Sequence, residues 1–337
     1  MAGAHPEVLD AIVRNNLTQT AGYGSDDFCA EARRLIRAAC CAPDADVHFL
    51  VGGTQTNSTV LDALLRPTEG VIAAESGHIN VHEAGAIEHS GHKVLALPAV
   101  EGKLSATDVK AYLENFYADD TWPHMVAPGA VYISFPTEFG TLYSLDELEA
   151  LSAVCREYNL PLFVDGARMG YGLAASALTE QRPVTLPDLA RLADVFYIGG
   201  TKMGALFGEA VVCTRPALLP RFFTLMKARG AVLAKGRLLG MQFGALFTDD
   251  LYLRIGRHGV ELAQRLRRAF EKRGYKTFID SPSNQQFFVL PNAVIDRLLP
   301  AATFEYWGPR GEEESKVRFV TSWETTTEDI AALEALL

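Results

Sequence analysis

Val195-Phe196-Tyr197-Ile198-Gly199-Gly200-Thr201-Lys202-Met203-Gly204 is the stretch on which the fold turns. Four apolar residues in succession end in a glycine pair, and a lysine follows. A continuous apolar run of this length reads as a strand covered on both faces, as in a parallel sheet. Glycines remove side-chain bulk, so a flat ligand can approach the backbone. A lysine set against apolar walls loses its proton more readily and becomes a nucleophile towards a carbonyl. Read without its neighbours, Lys202 is by default a solvated loop lysine.

Upstream, Leu162-Phe163-Val164-Asp165-Gly166-Ala167-Arg168 repeats the design with a carboxylate at the strand end. Ligands of open α/β sheets bind at the carboxyl ends of strands. Asp165 by itself also reads as the cap of the next helix. Earlier still, Phe49-Leu50-Val51-Gly52-Gly53-Thr54-Gln55 is a strand, a glycine turn and a helix start. Free N–H groups at such a helix start bind phosphate, and a plain βα turn has the same sequence. The turn is neither GxGxxG nor GxxxxGK[ST], which argues against dinucleotides and nucleoside triphosphates.

Further strands are expected at Val47–Val51, Val71–Ala74, Val94–Leu97, Val131–Phe135 and Ala210–Cys213. Helical spacing of apolar residues marks Asp26–Ala42, with Ser25 as its cap, and also Thr54–Leu65, Ser105–Phe116 and Ser144–Asn159. Ser144 and Glu147 form a capping-box signature. Strands alternating with helices imply an α/β fold with a mostly parallel central sheet. After about residue 235 the character changes. A long helix-favouring segment, Gly236–Lys272, is broken near Thr248–Asp250. Short strands follow at Gln286–Leu290, Thr303–Trp307 and Val317–Val320, with a last helix from about Thr327. The expected organisation is a large α/β domain over 1–235 and a smaller α+β domain over 236–337.

Composition narrows the partners. The 337 residues are 48% hydrophobic and 21% charged, with a net charge of −10. That is globular composition, and the acidic balance disfavours nucleic acid and anionic membrane. No apolar run reaches the ~20 residues of a membrane span. Glu7 and Asp10 interrupt the N-terminus, which has no signal-peptide core. Cys29, Cys40, Cys41, Cys155 and Cys213 form no CxxC pair, which fits reduced thiols in the cytoplasm. His78, His82, His89 and His92 lack any HExxH or cysteine partner, so no metal site is expected.

The order of phosphate loop, acid and lysine, carried by Gly53-Thr54-Gln55, Asp165-Gly166-Ala167-Arg168 and Thr201-Lys202, resembles the fold type I (aspartate-aminotransferase-like) pyridoxal-phosphate enzymes. Within them the chain is similar to the β-eliminating lyase and threonine aldolase family, from Tyr23-Gly24 to Arg318. The resemblance implies that Lys202 carries pyridoxal 5'-phosphate as a Schiff base and that Asp165 keeps the pyridine nitrogen protonated. It implies that Gly53, Thr54 and Thr201 hold the phosphate and that His78 stacks on the ring. Arg168 would contact cofactor and substrate carboxylate, and Arg318 would grip that carboxylate, a task suited to a guanidinium fork. It further implies a homodimer or dimer of dimers, with Tyr23 and Lys235 as candidates for reaching the neighbouring subunit.

Two positions depart from the family pattern. Where threonine aldolases usually present a histidine near the substrate hydroxyl, this chain has Pro136-Thr137-Glu138-Phe139-Gly140. The chain also starts, at Met1-Ala2-Gly3-Ala4-His5-Pro6, after the point where the family usually places a serine that touches the substrate carboxylate. The expected activity is cleavage of the Cα–Cβ bond of a β-hydroxy-α-amino acid such as threonine or allo-threonine, with His78 or Glu138 as the base. β-Elimination on a β-substituted amino acid is the close alternative. A catalytically silent binding protein of the same fold is the alternative of another class.

Overall fold

The seven apolar runs up to Cys213 build one sheet in a computed structural model, which describes residues 2–337. The strands are β1 (Asp46–Leu50), β2 (Glu69–Ala74), β3 (Lys93–Leu97), β4 (Ala127–Ser134), β5 (Leu162–Asp165), β6 (Val195–Gly199) and β7 (Glu209–Cys213), in the spatial order β1-β7-β6-β5-β4-β2-β3. Neighbours from β3 through β6 run parallel. Strand β7 runs antiparallel to both β6 and β1.

The apolar runs are continuous because each face of the sheet packs into its own core. Val164, Phe196, Ile198 and Val212 point into one. Phe163, Val195, Tyr197 and Val211 point into the other. Full burial of side chains this large stabilises by about 1.5–3 kcal/mol each. The fold is therefore α/β with a mostly parallel sheet.

Helix starts follow local chemistry. Ser144 and Glu147 complete their capping box at Leu145–Glu157, and Ser105 accepts from Asp108 N. Asp26, not Ser25, caps Asp27–Ala39, its side chain accepting from Cys29 N at 2.9 Å.

The C-terminal region holds a second, antiparallel sheet of β8 (Lys276–Ile279), β9 (Gln285–Pro291), β10 (Glu305–Tyr306) and β11 (Glu314–Val320), ordered β10-β11-β9-β8. The break expected near Thr248–Asp250 separates Arg237–Leu246 from Leu251–Lys272, with Asp249 and Asp250 at positive φ. The long helix Leu251–Lys272 serves two cores. Tyr252, Ile255 and Val260 join the core of the large sheet. Leu266 and Phe270 pack with Phe288, Phe319 and Leu333 in a separate one. The strand expected over Thr303–Trp307 shrinks to β10, and β8 was not expected at all.

Candidate active site

The loops leaving β5 and β6 approach until no side chain fits between them. A Cβ on Gly166 would lie 2.0 Å from the Tyr197 carbonyl oxygen, and one on Gly199 would lie 2.4 Å from that of Ala167. At Gly199 the missing side chain admits a backbone carbonyl, where the sequence suggested room for a ligand. This contact sets Asp165 and Lys202 on one cavity of about 250 Å³. Gly53, Thr54, Thr201, Arg168, His78 and Glu138 line the same cavity. Its outer mouth is shared by Arg168, His78 and Lys202 with Arg318, His82 and Trp307.

Asp165 is buried and makes no salt bridge among the described residues. Its Oδ1 accepts from the Tyr197 hydroxyl at 2.5 Å and from Ala167 N at 3.0 Å. Its Oδ2 accepts from the Tyr132 hydroxyl at 2.6 Å and from Asn57 Nδ2 at 3.0 Å. Burial works against the charge, but these hydrogen bonds outweigh it and hold the carboxyl below its ordinary value. Asp165 is not the cap of the following helix, Met169–Thr179, where Arg168 holds that position without a side-chain bond.

Lys202 is not a solvated loop residue. The positive charge of Arg168, together with burial, lowers its ammonium to about 8. Beside it, Glu209 stands in the all-buried strand β7. Glu209 Oε1 accepts from Thr201 Oγ1 at 3.0 Å and Oε2 from Gly200 N at 3.1 Å. Burial pushes this carboxyl up to about 8.

His78 Nδ1 meets Glu83 Oε1 at 2.8 Å, and the His78 backbone N–H donates to Glu138 Oε1 at 2.9 Å. Glu138 Oε1 also accepts from Ser134 Oγ at 2.7 Å. Glu138 is half-buried and, among the described residues, makes no ion pair with a basic side chain. Burial raises its carboxyl, against the opposing effect of the Ser134 bond.

Arg318 adds to the cost of positive charge at Arg168. Burial first, and Arg318 second, lower Arg168 to about 10. Arg318 Nη1 donates to Gln285 Oε1 at 2.9 Å, Nη2 binds the Glu305 carboxylate, and the guanidinium stands 4.9 Å from the Trp307 ring centre. The Nε of each arginine is buried without a partner.

His92 is structural, bound to the Glu69 carbonyl and to Asp62. His89 is exposed. Tyr23 and Lys235 both lie outside the cavity on one surface, where Tyr23 N bonds the Ala234 carbonyl at 3.0 Å and Lys227 Nζ sits 4.4 Å from the Tyr23 ring. Sequence reading missed Tyr132, Tyr197, Asn57, Glu83 and Glu209. The signal for Glu209 was a carboxylate inside an apolar strand. The signal for Glu83 was an acid five residues after His78.

These residues fit pyridoxal phosphate. Among the described residues Asp165 is a buried anion whose partners are all neutral donors, which suits a cationic ring nitrogen. The helix Gly53–Leu64 starts without a side-chain cap, leaving first-turn N–H groups for a phosphate. Arg168 Nε is an unmatched donor on the same cavity.

Known proteins resemble this chain over most of its length. The family described as beta-eliminating lyase matches residues 2–290. A low specificity L-threonine aldolase of Pseudomonas aeruginosa is 31% identical over 335 residues, 98% of this chain and 93% of its own. The solved threonine aldolase of Leishmania major is 44% identical, with a TM-score of 0.94 covering 99% of this chain and 96% of that one. An aspartate aminotransferase of Thermus thermophilus, at 14% identity and a TM-score of 0.70 over 99% and 92%, shares the fold alone. The chain belongs to the beta-eliminating lyase family, whose members are pyridoxal-phosphate enzymes.

Proposed function

We propose that this protein cleaves the Cα–Cβ bond of a β-hydroxy-α-amino acid such as threonine, releasing glycine and an aldehyde. The observation that carries this reading is the shared mouth of the cavity. Arg168 and Arg318, each with an unmatched donor, stand beside the proton acceptors Glu138 and His78 and next to Lys202. The names of the relatives point the same way.

In this reading Arg168 and Arg318 bind the substrate carboxylate and orient the amino acid. Lys202, its proton loosened by Arg168 and burial, offers a neutral amine to the cofactor. Gly53, Thr54 and Thr201 would hold the phosphate of the cofactor, and His78 lines the same cavity. Asp165 would hold a proton at the pyridine nitrogen. When bound, pyridoxal phosphate supplies a conjugated cationic ring that accepts the electron pair released at Cα. Glu138 or His78 takes the substrate hydroxyl proton, and burial of Glu138 brings its basicity closer to that task.

We read the protein as cytoplasmic and as a homodimer or dimer of dimers. The exposed apolar side chains of Leu9, Val13, Leu17, Tyr23 and Phe223 support association. No helix among the described residues is long and apolar enough to cross a membrane. Incubation with threonine, allo-threonine and β-chloroalanine tests the activity. Glycine plus acetaldehyde from either of the first two is the expected result. Keto acid plus ammonia from β-chloroalanine, with no glycine from the others, would replace the aldol reading by β-elimination.

A further inference from the structure

Glu83 is a buried carboxylate beside His78. Its side chain is fully buried, it lines the cavity, and no lysine or arginine pairs with it among the described residues. Its ionisable partner among the described residues is His78, at 2.8 Å. Isolated buried carboxylates are costly, so a site that keeps one is expected to use it.

The geometry around Glu83 is directional. Oε1 receives His78 Nδ1 and also Asn57 Nδ2, the latter at 2.8 Å. The Asn57 amide nitrogen reaches Asp165 Oδ2 at 3.0 Å as well. One amide thus joins the carboxylate that holds His78 to the carboxylate at the cavity floor. A carboxylate at Nδ1 accepts the Nδ1–H, so the neutral ring carries its proton there and keeps Nε2 as its acceptor. The His78 backbone is fixed independently by the bond to Glu138.

We propose that Glu83 is the positioning residue for His78. It locks the Nδ1–H tautomer, frees Nε2 for proton transfer and, through Asn57, ties His78 to Asp165. Other groups act on the same ring. Asp165 favours its protonation and Lys202 opposes it. His82 stands 5.6 Å away, ring centre to ring centre, and Glu138, Arg168 and Arg318 share the mouth. Among these groups only Glu83 touches a ring nitrogen. In agreement, the Glu83 hydrogen bond raises His78 above its ordinary value in spite of burial.

Ring-nitrogen NMR of the histidines in the holoprotein tests this, with the His78 signal identified by its loss in His78→Asn. The wild-type signal should show the Nδ1–H tautomer. Glu83→Gln should lower its titration by about one to two pH units, the size expected for losing a charged hydrogen-bond partner. Glu83→Asp, which keeps the charge on a shorter arm, should titrate nearer to wild type. An Nε2–H tautomer in the wild type would overturn the proposal even if Glu83→Gln does not fold. So would equal titration in wild type and Glu83→Gln. A second arm rests on the aldolase reading. The acid limb of kcat/KM for threonine cleavage should move to lower pH in Glu83→Gln, whereas a merely structural role would lower the rate and leave the limb in place. Because NMR needs no turnover, failure of the aldolase reading is visible separately, as a wild-type protein with the expected tautomer and no cleavage.

Discussion

The Tyr197 hydroxyl donates to Asp165 Oδ1 at 2.5 Å while Tyr132 and Asn57 occupy Oδ2. Both tyrosines are fully buried core residues, so this carboxylate is held by the packing of the sheet itself. Tyr197→Phe should cost about 1.5–3 kcal/mol of stability at neutral pH, the range for a bond to a charged group. Asp165 is held below its ordinary 3.8, so the stability it contributes is present above that value and fades as pH falls through the native one. The deficit of Tyr197→Phe against wild type should therefore shrink below about pH 4. Denaturant midpoints at neutral and acid pH measure it, and a deficit that does not change with pH would mean that Asp165 is uncharged at neutral pH.

Lys202 should be the lysine that borohydride couples to the cofactor. In protein stripped of cofactor its amine should react with added pyridoxal phosphate half-maximally near pH 8. Because the charge of Arg168 is the largest cause of that depression, Arg168→Gln should move the midpoint upwards. Peptide mapping of the reduced adduct identifies the lysine, and a label elsewhere would remove Lys202 from its role.

Asp165→Asn should retain cofactor, more weakly, and lose most of its turnover. An amide cannot hold a proton on the ring nitrogen by charge. Absorbance of the bound cofactor and steady-state rates measure the two effects. Near-normal turnover would leave Asp165 as a tether for Tyr132 and Tyr197 only.

Arg318→Leu should raise KM about ten- to a hundred-fold with a smaller change in kcat, since a charged bond to the carboxylate contributes about 1.5–3 kcal/mol. The Glu305 carboxylate on the same guanidinium supports the choice, because it sits where a carboxylate is accepted. An unchanged affinity for threonine would take Arg318 out of substrate binding.

Glu138→Gln should cut retro-aldol turnover and leave exchange of the glycine α-proton in place, because that exchange involves no hydroxyl group. Loss of both reactions would point to damage at His78, whose backbone N–H Glu138 holds. Retention of both would leave the base role to His78.

The amino-acid sequence by itself determined the strands of the large sheet, the order of phosphate loop, acid and lysine, and part of the cavity lining, such as Gly53, Asp165 and Lys202. These are local properties. A strand buried on both faces must be apolar throughout, and strand ends such as Val164-Asp165-Gly166 and Ile198-Gly199-Gly200 show where the chain turns. Helix breaks and caps were equally local, as at Thr248–Asp250 and Ser144.

Only the tertiary structure decided what surrounds those residues. Tyr132 and Tyr197 read as apolar members of their strands, and nothing nearby in sequence tells that their hydroxyls meet on Asp165, 33 and 32 residues away. Asn57 and Glu83 are 26 residues apart and Thr201 and Glu209 are 8 apart, and each pair is joined by folding alone. The physical reason is that burial and hydrogen bonding set the charge of a group, and both depend on side chains brought together across the sheet.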